Sequence, residues 1–195
     1  MKKILSIAML FVISMTMYAQ KDVTKFLGIP VDGTKSAMIQ KLKEKGFTYN
    51  SSLNCLEGEF NGRDVYVKVG INNNKVYRIM LQDATSSNEG DIKIRFNNLC
   101  RQFEKNKKYI SASLSDQTLS ESEDISTQMV LYNKRYEAAY YQLSEITEDE
   151  GIEDAMERAF KKSVWFMITK GKRYDQYYIN MYYDNGYNQS DGEDL

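Results

Sequence analysis

The strongest constraint on this chain lies in residues 53–83. Leu56, Gly58 and Phe60 alternate with polar neighbours, and Asn61-Gly62 supplies a two-residue turn. Val65, Val67, Val69 and Ile71 alternate on the return, Asn72-Asn73-Asn74 turns the chain again, and Tyr77, Ile79 and Leu81 alternate a third time. Period-two patterning broken by Asn-Gly and an Asn run predicts a three-stranded antiparallel meander. Such a sheet has one apolar face, and something must cover it.

Amphipathic helices are the candidates for that cover. Thr34 caps a helix whose stripe is Ala37, Met38, Leu42 and Ile39, and Gly46 ends it, with Phe47 folding back on the last turn. A second helix starts near Asp91. Ile92, Phe96, Leu99, Cys100 and Phe103 form one face, and Lys105, Lys107 and Lys108 suit its C-terminal end. A third is predicted after a capping box of Thr147 and Glu150, with the stripe Ile152, Ala155, Met156, Ala159 and Phe160.

The remaining segments read as strands and loops. Residues 21–32, with Gly28 and Pro30, read as an irregular lead-in, and the Ser- and acid-rich residues 111–126 as a mobile loop with Glu121, Glu123 and Asp124 in solvent. A hairpin is expected from Met129–Tyr132 and Tyr136–Leu143 around Asn133-Lys134. Two closing strands, Val164–Thr169 and Tyr177–Asp184, follow. The expectation is an α+β fold, antiparallel β-meanders covered on one face by short amphipathic helices. Residues 20–184 form one domain, whose halves 20–90 and 91–184 read as a diverged duplication, and residues 185–195 form a frayed acidic tail.

Met1-Lys2-Lys3 followed by an apolar run from Ile4 to Met17, then Met17-Tyr18-Ala19 before Gln20, has the form of a secretory signal peptide over residues 1–19. The alternative is an uncleaved anchor, but the run is short for a hydrocarbon core of about 30 Å. No later segment is apolar enough to span a membrane. The chain is therefore expected to be exported, to the periplasm or outside the cell. Removing the leader takes Lys2 and Lys3 and leaves 24 basic against 27 acidic residues, a net charge of −3. With no basic surplus, nucleic acid is not an expected partner. In an oxidising compartment Cys55 and Cys100 either bond across a loop of about 45 residues or stay as buried thiols.

Three stretches, Phe26–Phe47 (FLGIPVDGTKSAMIQKLKEKGF), Asn73–Met80 with Arg95–Phe103 (NNKVYRIM, RFNNLCRQF) and Asn133–Gln142 (NKRYEAAYYQ), together with the leader ending in Ala-Gln, carry a likeness. By these the chain resembles uncharacterised small exported proteins of Bacteroides-type bacteria. More loosely, Gly33-Thr34 and Met38 with Leu42 before a meander are similar to the helix-plus-meander modules of outer-membrane assembly lipoproteins and β-lactamase inhibitor proteins. The lipoproteins carry a lipidated cysteine after the leader where this chain has Gln20, so the likeness implies fold rather than role.

The sequence contains no histidine, which removes Ser-His-Asp and Cys-His catalysis and histidine metal ligation. No cofactor or metal site is expected, and no enzymatic motif. Ten of the 15 tyrosines follow Leu131, which concentrates rigid amphipathic rings in the second half. In the last strand Tyr178, Asn180 and Tyr182 share one face, and Tyr177, Ile179, Met181 and Tyr183 the other. Tyr178, Asn180 and Tyr182 are the candidate ligand-binding residues, for a protein, peptide or glycan. The competing reading is that tyrosine simply packs well in strands. The function expected is a non-catalytic exported binding protein. The alternatives are a glycan hydrolase working through carboxylates such as Glu57 and Glu59, and a periplasmic inhibitor or assembly factor.

Overall fold

A computed structural model describes residues 22–144 and 151–190. The leader, the Thr147/Glu150 capping box and residues 191–195 lie outside the described residues.

The first half begins with a small ladder, β1 (Lys25–Phe26) against β2 (Ile29–Pro30), closed by Leu27 and Gly28 at positive φ. Helix α1 (Lys35–Glu44) follows, with the Thr34 hydroxyl accepting from Ala37 N at 3.3 Å. Gly46 adopts φ +95°, and Phe47 N donates back to Leu42 O at 3.2 Å, the helix stop expected from the sequence. Four strands then run as a meander: β3 (Thr48–Asn50), β4 (Cys55–Phe60), β5 (Arg63–Asn72) and β6 (Lys75–Asp83).

The second half repeats that order with insertions. Helix α2 (Glu89–Lys105) is followed by β7 (Tyr109–Ser111), then the inserted helix α3 (Ile125–Leu131), β8 (Glu137–Gln142), the inserted helix α4 (Ile152–Phe160), β9 (Ser163–Lys170) and β10 (Tyr177–Asp184). All eight strands from β3 to β10 join one antiparallel sheet in the order β3-β4-β5-β6-β10-β9-β8-β7. The order is a palindrome: each half contributes a helix and a four-stranded meander, and the last strands of the two, β6 and β10, pair at the centre.

One core contains side chains from both halves. Val65, Val67 and Val69 are 3 %, 0 % and 9 % exposed, so the alternation read from the sequence does place them inside. Met38 and Leu42 of α1 and Ile92, Phe96, Leu99, Cys100 and Phe103 of α2 are the buried residues of those helices. Phe103 stacks on Tyr140 at 4.6 Å and 12°, and Phe96 meets Phe166 edge-on at 5.0 Å, so α2 sits on the β8–β9 side of the covered face.

Several expectations are corrected. Met129–Leu131 is helical, not a strand, because Asp124 caps the segment through Thr127 N at 2.8 Å and Ile125 anchors it in the core. A short apolar run fits either period, and here the cap decides. The segment before it is not a free loop: Asn97 holds Leu119 by two bonds, 2.8 and 2.7 Å, and Glu123 accepts from Lys134 and Tyr136. The tail is not frayed at its start. Asn185 is fully buried with its amide on Val31 O at 2.8 Å, and Asn188 donates to Asp32 and Val76 O. In α4 only Ala159 is buried, and Ile152, Met156 and Phe160 stand exposed. This helix joins the neighbouring antiparallel strands β8 and β9 and packs Phe160 on Tyr141 at 4.9 Å; Tyr141 alternates with the buried Tyr140 and Gln142, so the helix touches the sheet on the face away from the core. Of the two readings left open for Cys55 and Cys100, the structure has free buried thiols, and no bond joins them. Cys55 shares the strand side of Glu57, and Cys100 lies in α2 on the opposite side of the sheet.

Candidate functional site

Alternation along β10 divides its side chains as the sequence implies. Tyr177, Ile179, Met181 and Tyr183 are buried in the core, while Tyr178, Asn180 and Tyr182 lie half-buried on the other face. The pairing register extends that face across the sheet. Met80, Tyr182 and Trp165 stand in one row, and Gln82, Asn180 and Met167 in the next. None of these six side chains belongs to the core cluster that α1, α2 and α3 cover.

The centre of the face is an ordered group. Trp165 and Tyr182 stack at 4.0 Å with 17° between the rings. The Arg78 guanidinium lies 5.1 Å from the Tyr182 ring, 5.5 Å from Tyr77 and 5.6 Å from Trp165. Arg78 Nε and Nη2 donate to the two carboxylate oxygens of Asp184 at 2.5 and 2.7 Å, and Trp165 Nε1 donates to the same carboxylate at 2.9 Å. The Asp184 side chain is 4 % exposed and that of Arg78 25 %. The hydrogen bonds to Asp184 push the Arg78 pKa still higher, which keeps the cation fixed among the rings. Thr24 donates to the Asp184 backbone oxygen and so ties the start of the described chain to this strand end.

The three residues picked from the sequence therefore share one face, with Tyr182 inside the aromatic group and Asn180 and Tyr178 beside it. Trp165, Arg78 and Asp184 were missed. Trp165 alternates visibly with Val164 and Phe166, which was signal enough to place it on this face. Arg78 and Asp184 gave none, because they meet only through the pairing of β6 with β10.

The carboxylates named for hydrolysis are arranged differently. Glu57 accepts from Asn50 Nδ2 at 2.8 Å, and Glu59 borders a separate cavity of about 1300 Å³. Asp22, Arg158 and Lys162 line another part of that cavity. Lys162 is 1 % exposed and donates to Asp22 at 2.8 Å and to Ser144. Burial pushes the Lys162 pKa down, against the pull of Asp22. Burial also acts to raise Asp22, but hydrogen bonds from Lys162 and Ser144 and the charges of Lys162 and Arg158 prevail and hold it below 3.8.

No protein family, curated protein or solved structure matches this chain.

Proposed function

We propose that this is a non-catalytic exported binding protein that holds its partner on the face of the eight-stranded sheet opposite α1, α2 and α3. One observation carries the reading: Trp165, Tyr182 and Arg78 are gathered around a buried Asp184 on a face that the core does not use. Trp, Tyr and Arg are the residues that concentrate binding energy, because they offer large contact area at small entropic cost. Here their conformations are fixed beforehand by stacking and by the salt bridge, so little order remains to be gained on binding. Tyr66, Met80, Met167 and Tyr178 extend the same surface.

The test is a photo-activated cross-linking residue in place of Tyr178, with the same residue in place of Lys41 on the exposed side of α1 as control. An adduct formed only from position 178, and lost when Tyr182→Ala is added, is the expected result. Equal adducts from both positions, or none from 178, would remove the reading.

A further inference from the structure

Beside the aromatic group the same face dips into a depression of about 620 Å³ between β6, β10 and the β9–β10 loop. Its floor and walls include Tyr66, Tyr178, Gln82, Gln176, Thr169 and Asn180. Asn180 is the informative member. It stands on a central strand, and its Oδ1 is buried without a hydrogen-bond partner. A buried amide oxygen left unpaired loses its hydration with nothing in return, so a central position that keeps one calls for a reason. Rotation of the carboxamide about its last bond turns either its oxygen or its NH2 group toward the depression.

The rim supplies charge. Lys170, Lys172 and Arg173 border the depression, and all three are exposed. The one carboxylate in the lining, Asp83, is already engaged by Arg95 at 2.6 and 2.5 Å. The loop that carries the cations lies close to the site because residue 171 is glycine: a Cβ there would fall 2.8 Å from Gln176 Cβ and 3.0 Å from the Tyr178 ring.

We infer that this depression binds an acidic sugar, a hydroxyl-rich ring carrying a carboxylate or sulfate. The inference rests on the binding function proposed above and names its ligand class. Amide and hydroxyl groups on the protein both donate and accept, as sugar hydroxyls do. The tyrosine rings offer the apolar surface that the C–H face of a sugar ring needs, and the three cations call for a negative group. The volume falls within the range of small-molecule sites, about 300–1,000 Å³.

The test is calorimetric titration of the purified protein with trigalacturonate, a sulfated galactose trimer and a neutral galactose trimer. At least one acidic trimer binds and the neutral one does not, and raising salt from 50 to 300 mM weakens binding tenfold or more. Lys172→Gln with Arg173→Gln weakens it at least tenfold. Asn180→Ala also weakens it but does not lower the thermal midpoint, because no internal hydrogen bond is lost and an unpaired buried oxygen is removed. Equal binding of the neutral trimer, or full affinity in the Lys172/Arg173 variant, overturns the inference. Absence of all sugar binding overturns it too. If the residue-178 cross-linker then still captures a protein, the binding function stands; if it captures nothing, that falls as well.

Discussion

Arg78 and Asp184, 106 residues apart in sequence, meet in a bidentate salt bridge at the centre of the sheet, with the Asp184 carboxylate also accepting from Trp165. The contact joins the last strand of each half on the face opposite α1, α2 and α3. It also sets the position of the only tryptophan in the chain.

Removing one partner therefore strands the other. Arg78→Met leaves the buried Asp184 with one side-chain donor, and breaking a buried pair costs about 3–5 kcal/mol. Because Arg78 keeps some solvent access, the low end applies: about 3 kcal/mol, or a drop of roughly 6–12 °C in Tm for a chain of this size. Trp165 fluorescence shifts at the same time. A variant melting within 1 °C of the parent would show that the pair does not hold the two halves together.

Gly58 lies against a core ring. A Cβ at this position falls 2.6 Å from Phe47 Cδ1 and 3.0 Å from Cε1, and Phe47 is only 4 % exposed. Gly58→Ala must displace that ring, at about 1–3 kcal/mol. Denaturant unfolding should show a lower midpoint with an unchanged slope. Gly58→Ala with Phe47→Leu should recover part of the loss, since the second change removes the obstructing edge.

The thiols give a chemical test of the sheet's two sides. Cys55 and Cys100 are 2 % and 0 % exposed, and burial raises both, Cys100 to about 11. A thiol reagent at pH 8 should label neither in the native protein and both after unfolding. Finding a disulfide in the unfolded, unreduced chain would mean that the sheet does not separate them.

Asp22 gives a pH signature. Its folded pKa lies below the ordinary 3.8, so the stability it contributes is present above about 3.8 and lost as pH falls through the lower folded value. Lys162 differs between the parent and Asp22→Asn, because Asp22 raises its pKa against burial, so the Tm gap is read on the acid side: it should hold from pH 6 to 5 and close below pH 3.8. Asp116, Glu123 and Asp124 are also held low, but they occur in both proteins and cancel in the difference. A gap that is unchanged at pH 2.5 would assign the effect to something other than this ionisation.

What the sequence determined is everything set by neighbours along the chain. Alternation in residues 65–69 and 177–183 fixed which side chains face inward, because in a strand successive side chains point to opposite faces whatever the strand pairs with; past Val69 it fails, since a bulge between Gly70 and Ile71 leaves Ile71 46 % exposed and puts Val76 rather than Tyr77 in the core. The stripe of Ile92, Phe96, Leu99, Cys100 and Phe103 fixed the buried side of α2 in the same way. Tertiary structure alone decided the rest. Which strands of two meanders become neighbours depends on the shape of the closed core, so the meeting of Arg78 with Asp184 had no local trace. Met129–Leu131 fitted either period until a cap and a core contact for Ile125 chose the helix. The stripe of α4 promised burial, yet Phe160 meets Tyr141 on the face away from the core and Ala159 alone of the stripe is buried. Period is a property of a segment, whereas burial belongs to what that segment is packed against.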